Sequence, residues 1–256
     1  MAMAHQSVAP SFPMTPSAPR RSVMTRYAAA AAANLALAGC VAATLGPAGT
    51  IASPLVAMAV FAIAAVWAGA AMARTYPHSV LGLANLVTLS RLALAASLVA
   101  TLTHPEGLTR SDAQAWAVLG IAILALCLDG VDGRLARRQR LTSAFGARFD
   151  MEVDAFFAAL LAVILVLSGK VGLWALPLGF MRYGFVIAAA MLPWMRAPLP
   201  DRFGRKAVCV LQIGTLVALL APVIGPQIAW APAALASAAL IRSFAIDIAW
   251  LWRNRP

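Results

Sequence analysis

The sequence predicts an all-α integral membrane protein, and three observations predict it. Apolar residues make up 62% of the 256 positions and charged residues only 11%, with a mean hydropathy of +0.83. Soluble domains are about half apolar and about a quarter charged. The apolar residues also fall in runs of about 20, the length a helix needs to cross a hydrocarbon layer about 30 Å thick. Finally, the alternating pattern of barrel strands is absent, which leaves helices as the way to bond every backbone group within its own segment.

Eight such runs can be cut from the chain, near 28–45, 51–73, 86–103, 114–131, 149–169, 171–194, 207–223 and 228–252. Residues 1–25, rich in Pro, Ser, Ala and Met, have no periodicity and are expected to be a disordered cytoplasmic tail. The first two spans carry no acidic residue and read as an N-terminal transmembrane hairpin over 26–75. Pro77, His78 and Gly82 mark a connector, where His78 is either a ligand or an interfacial histidine. The remaining six spans form a unit over 76–256 that holds every polar cluster of interest. Cys40, Cys127 and Cys209 are scattered in apolar segments with no metal-ligand spacing and read as small buried hydrophobes. Arg20 and Arg21 before LAGC, Leu37 to Cys40, imitate a lipoprotein signal, but another apolar span follows at once instead of a soluble domain.

The formal charge of +11 does not point to nucleic acid, because of how it is distributed. With both termini on one side, 15 of the 20 Lys and Arg residues fall on that side and only Arg110 and Lys170 on the other. That bias marks the first side as cytoplasmic. Arg91, Arg182 and Arg242 remain inside spans; Arg182 and Arg242, in spans six and eight where charge is costly, each need a cavity or a partner. The polar loops near residues 134–148 and 196–206 then open to the cytosol. Trp194, Trp250 and Trp252 near those ends, and Trp116, Trp174 and Trp230 near the others, fit interfacial belts.

Five of the nine acidic residues lie between Asp129 and Asp154. Asp129 and Asp132, three apart, share a helical face where span four meets the cytoplasm. Asp150 and Asp154, four apart, share a face of the helix that begins span five, with Gly146 one turn back. Two helices joined by a short loop can therefore present four carboxylates to one point. Uncompensated, such charges repel or force protonation. Two hard cations offset this, and an all-oxygen ligand set suits Mg²⁺ or Mn²⁺. Gly133 removes a side chain where a ligand approaches the helix, Ala136 is small one turn on, and Arg137 offers a planar fork for phosphate oxygens.

The string D-x2-D-G-x2-A-R-x8-G-x3-D-x3-D, from Asp129 to Asp154, resembles the signature of the CDP-alcohol phosphotransferases. These membrane enzymes move a phosphoalcohol from a CDP-linked donor to a second alcohol and release CMP. The resemblance covers roughly Leu83 to Trp252 and implies a six-helix core preceded by two extra transmembrane helices. It implies that Asp129, Asp132 and Asp150 bind metal, and that Asp154 is the general base and also a metal ligand. Gly133, Arg137 and Ser143 would contact the CDP group, with Ala136 and Gly146 making room; Ser143 lies outside the specified positions. Span three opens NLVTLSR, similar to the N-x2-T-x2-R of many members, so Asn85 and Thr88 either reach the nucleotide or cap a helix.

For the acceptor, PDRFGRKAVCVLQ from Pro200 to Gln212 resembles a degraded G-K-x-K-T segment of phosphatidylglycerophosphate synthases. Gly204 and Arg205 fit, while Ala207 and Val208 depart and Lys206 falls on the unspecified position. A phosphate pocket using Arg182, Arg205 and Lys206 and a plain positive-inside loop both stand. So do an Arg182–Asp247 pair and phosphate binding by Arg182 or Arg242. The function expected is transfer of a phosphatidyl group from CDP-diacylglycerol to a small alcohol, with two Mg²⁺ or Mn²⁺ ions, at the cytoplasmic face of a bacterial inner membrane. Partners are those two substrates and membrane lipid, with no nucleic acid; homodimers are common in the family. The rivals are a membrane cation transporter, which predicts carboxylates near the bilayer midplane, and a binding-only relative, which sits poorly with all four aspartates being present.

Overall fold

The computed structural model describes residues 21–47, 49–105, 112–139, 141–200 and 202–255, and for residues 131, 132, 134, 136 and 137 the backbone alone. Eight α-helices follow one another: α1 (Arg21–Leu45), α2 (Ala52–Thr75), α3 (Leu83–Leu98), α4 (Asp112–Gln139), α5 (Ala144–Leu167), α6 (Pro177–Met191), α7 (Phe203–Leu219) and α8 (Pro226–Arg253). No strand occurs among the described residues. Short 3₁₀ turns extend α3 over Val99–Thr103 and flank α6 at Leu173–Ala175 and Pro193–Arg196.

Several boundaries differ from the sequence expectation. Helix α1 begins at Arg21, so residues 21–25 are helical; nothing in RSVMTRY interrupts the alanine-rich run, and Val23 and Tyr27 are buried. The rest of the expected tail lies outside the described residues. Span four continues as helix to Gln139, well past the expected membrane edge. The single span expected over 171–194 is broken by its prolines: Pro177 starts α6, and Leu192, ahead of Pro193, is extended at φ −117°, ψ 95°. A residue before proline is pushed out of the helical region.

Among the described residues, five helices are long and apolar enough to cross a membrane: Arg21–Leu45, Ala52–Thr75, Leu83–Thr103, Asp112–Gly130 and Pro226–Arg253. The other three expected spans fall short for visible reasons. Helix α5 carries Asp150, Glu152 and Asp154 in its first half, α6 has 15 residues and α7 has 17.

Helix α3 is the centre of the bundle and packs against α1, α2, α4 and α5. Its sequence suits that place. Ala93, Ala95 and Ala96 are almost fully buried, and such small residues let helices approach closely. Its hydroxyls are satisfied within the helix, as where Thr88 Oγ1 donates to the Ala84 carbonyl at 3.0 Å and Ser97 Oγ to Leu94 at 2.7 Å. The first two helices are joined to this centre rather than standing apart from it. Phe61, Met72 and Tyr76 share a buried cluster with Leu89 and Leu92 of α3 and with Phe145, Phe149 and Val153 of α5. Within the hairpin, Tyr27 donates to the Ala65 carbonyl at 2.7 Å. Gly69 makes room for its ring, since a Cβ there would stand 2.9 Å from Tyr27 Cε1.

The second half is held by equally local devices. At Gly179 a Cβ would stand 2.5 Å from the Cα of Ala159 and 2.8 Å from the Ala158 carbonyl oxygen, so α6 crosses α5 backbone to backbone only because that residue is glycine. Lys170, after α5, donates to the carbonyls of Leu219, Leu220 and Ala221 at 2.9, 3.0 and 2.6 Å. A helix end leaves such carbonyls without partners in its own helix, and an ammonium group satisfies them with favourable charge.

Candidate active site

The carboxylates converge because two helices meet α3 at the same level. Asp129 comes from α4 and Asp150 and Asp154 from α5, and one oxygen of each lies within 4.8 Å of the others. Arg91 of α3 stands among them with 3% of its side chain exposed. Its Nη2 is 2.7 Å from Asp129 Oδ1 and also donates to Asp154 Oδ1, while Nη1 donates to Asp150 Oδ1 at 2.6 Å. One guanidinium thus ties α3, α4 and α5 together. The three carboxylates remain between 31% and 36% exposed. Asp132 lies one turn beyond Asp129 on α4, but its side chain is outside the described residues, as are those of Ala136 and Arg137.

A cavity of about 220 Å³ adjoins the cluster, lined by Asn85 and Thr88 of α3, Gly133 of α4, Thr142 and Ser143 before α5, and Gly146 and Asp150 of α5. Five residues expected at the nucleotide, Asn85, Thr88, Gly133, Ser143 and Gly146, therefore share one space. Ser143 is the N-cap of α5, its Oγ accepting from the Gly146 amide at 3.0 Å, which ends one helix-terminus orphan. Gly146 is where α3 and α5 come close: a Cβ would stand 3.1 Å from Asn85 Oδ1 and 3.2 Å from Ser143 Oγ. Gly146 and Ala147 of the first turn of α5 line this cavity, and a helix N-terminus favours anionic oxygens.

The loop lining the cavity is braced by the connector from the hairpin. His78 Nε2 is 2.9 Å from the Thr142 carbonyl oxygen, and the Leu83 amide donates to Gln139 Oε1 at 2.9 Å. Tyr76 is buried, accepts from the Gly82 amide at 3.1 Å and packs edge-on against Phe145. His78 is thus a tie between connector and loop.

The remaining charges are placed by long-range pairing. Arg182 Nη2 of α6 donates to Glu152 Oε1 of α5. Asp247 of α8, 7% exposed, meets Arg202 Nη1 at 2.8 Å and Arg205 Nε at 3.1 Å. So the partner of Arg182 is Glu152, and that of Asp247 is the pair of arginines at the start of α7, in place of the Arg182–Asp247 pair considered from sequence. Lys206 and Arg242 are exposed.

Sequence reasoning assigned no role to Arg91. Its signal was present twice, as the closing position of N-x2-T-x2-R and as a cation inside a span that needs a partner. The Glu152–Arg182 pair carried only the second signal.

Among known families, the model of the family described as CDP-alcohol phosphatidyltransferase matches residues 81–244, from the connector through most of α8. Comparison with curated proteins and with solved structures gives no match. The matched stretch holds all three clustered carboxylates, the cavity beside them and the arginine between them, and more than half of the chain. The chain belongs to the CDP-alcohol phosphatidyltransferase family.

Proposed function

We propose that the protein transfers the phosphatidyl group of CDP-diacylglycerol to a small alcohol and releases CMP, at the cytoplasmic face of a bacterial inner membrane. The observation that carries this reading is the meeting of Asp129, Asp150 and Asp154 from two helices at one point, beside a cavity with a polar lining, inside the family match. Three carboxylate oxygens within 4.8 Å, with no histidine or cysteine in the group among the described residues, fit a hard divalent cation. Asp129, Asp132, Asp150 and Asp154 would hold two Mg²⁺ or Mn²⁺ ions. Such ions supply charge neutralisation for the diphosphate and for the departing CMP.

The chain's own residues supply the rest. Asn85, Thr88, Gly133, Ala136, Arg137, Ser143 and Gly146 bind the CDP group, the glycines by leaving room and the polar side chains by orientation. Asp154 accepts the proton of the acceptor hydroxyl as its oxygen bonds to phosphorus, and the bond from phosphorus to the CMP oxygen breaks. Arg91 is a positioning residue: it holds Asp150 and Asp154 at the angle from which they act. Arg182, Arg205 and Lys206 serve an anionic acceptor such as glycerol 3-phosphate. What supports this is that Arg182 pairs with Glu152, two residues from Asp154 on α5, and Arg205 with Asp247, each held by a carboxylate that an incoming phosphate can replace. The Lys and Arg bias supports the cytoplasmic orientation. By family expectation the working assembly is a homodimer.

Asp154→Asn tests the reading. CMP release from CDP-diacylglycerol with Mg²⁺ and glycerol 3-phosphate should fall at least about a hundredfold, the usual worth of a positioned base, while the variant still inserts and elutes as the parent does. Unchanged turnover would remove Asp154 from this role.

A further inference from the structure

A cleft of about 450 Å³ lies on the other side of α5, between α2, α3, α5 and α6, within the usual range for ligand sites. Its lining is apolar, with Ile63 and Trp67 of α2 facing Phe149, Val153 and Phe156 of α5. Ile63 is 72% and Trp67 60% exposed, so the cleft opens sideways where lipid surrounds the protein. We propose that this cleft seats one acyl chain of the lipid-linked CDP donor, and that Ile63 and Trp67 set which chains are accepted. The inference rests on the donor reading above and adds a specificity element that lies outside the matched residues 81–244.

Three observations select this occupant. First, cleft and reacting centre share the same turns of one helix: Phe149, Val153 and Phe156 line the cleft while Asp150 and Asp154 face the carboxylate cluster. The two places thus lie on different faces of one helix, about 10–12 Å across with its side chains, a span that the glycerol and upper chain of a bound donor can cross. Second, the polarity runs the right way. The Glu152–Arg182 pair borders the cleft at the level of the aspartates, while the lining on α2 runs from Trp67 back to Val60, away from the cytoplasmic end at Thr75. At 1.5 Å per residue those seven residues lead about 10 Å toward the membrane interior. Third, the walls come from four helices, so the cleft has a defined width rather than being one bare helix face.

In a bilayer the surrounding tails are as apolar as the cleft, so seating a chain adds little affinity. What the walls add is discrimination, by fitting some chains and obstructing others. That is the quantity to measure.

The full-length protein in nanodiscs would be given Mg²⁺, glycerol 3-phosphate and either CDP-dioleoylglycerol or CDP-dioctanoylglycerol, and CMP release followed. Ala64→Trp fills the cleft from its α2 wall. The expected result is a fall of about tenfold or more in kcat/KM for the long-chain donor against less than about twofold for the short one, the scale on which an apolar pocket discriminates. In parallel, wild-type protein would be irradiated with CDP-diacylglycerol bearing a diazirine midway along one chain, with adducts expected in peptides spanning 60–67 and 149–156. This arm decides if Ala64→Trp does not fold. Equal losses for both donors, adducts confined to other helices, or Ile63→Cys protein that crosslinks efficiently to a second copy through this face would each overturn the proposal. If wild-type protein releases CMP but its donor preference ignores the cleft, the proposal fails alone. Release of CMP from neither donor with any acceptor sinks the donor reading and this inference with it.

Discussion

Replacing Arg91 by methionine keeps most of the buried stem and removes the charge that three carboxylates share. The three oxygens lie within 4.8 Å of one another. At an effective dielectric of about 20, two unit charges at that distance repel by about 3.5 kcal/mol, and the cluster contains three such pairs. The carboxylates are 31% to 36% exposed, so water recovers much of this. A net loss of about 3 kcal/mol is expected, the low end for breaking a buried pair. For a chain of this size that is about 6–12 °C in thermal midpoint. Purified protein in detergent would be melted in EDTA and again with excess Mg²⁺, followed by tryptophan fluorescence. In EDTA the variant should unfold about 6–12 °C below the parent. With Mg²⁺ the difference should shrink by half or more, because a cation that binds only the folded cluster stabilises most where the cluster lacks its own counter-charge. Equal midpoints in EDTA would refute the neutralising role of Arg91. A gap untouched by Mg²⁺ would refute the cluster as a cation site.

Other substitutions test the neighbouring parts. Gly146→Val places two methyl groups where a Cβ alone would press on Asn85 and Ser143; KM for CDP-diacylglycerol should rise about tenfold, from overpacking of one to two kcal/mol, as measured by CMP release in mixed micelles. Lys170→Met removes three hydrogen bonds to the end of α7 and should cost about 1.5–3 kcal/mol, seen as a lower melting midpoint with unchanged turnover per folded molecule. Asp247→Asn leaves Arg202 and Arg205 without their shared carboxylate. Because those arginines are about a third exposed, the expected cost is only about 1–2 kcal/mol, and the sharper readout is an altered KM for a phosphorylated acceptor.

Much of the fold was legible along the chain because membrane helices are local objects. Each bonds its own backbone, so a run of apolar residues suffices to find it. The same locality made half of the site readable. Spacings of three and four put Asp129 with Asp132, and Asp150 with Asp154, on common faces before any partner helix is considered. The break at Pro193 was local too, and a stricter use of proline would have found it, while Pro177 stands in the first turn of α6, where a helix start accepts it. The extension of α4 to Gln139 was not, since hydropathy marks where a helix leaves lipid but not where it ends.

Pairing is another matter. That Arg91 enters the carboxylate cluster, that Glu152 takes Arg182, and that Asp247 takes Arg202 and Arg205 all depend on which helices are neighbours. Sequence could say that each intramembrane charge needs a partner, and not which of several it has. The same holds for α1 and α2, whose composition suggests an appendage and whose packing makes them a wall of the core. The sequence by itself determined the membrane helices, the signature and the residue types able to hold cations and phosphate, because those follow from chemistry carried within a turn or two. Tertiary structure decided which charges neutralise each other and where a cleft opens beside the site, because a Coulomb contact or a gap between helices is a relation among segments whose distance in space their distance along the chain does not set.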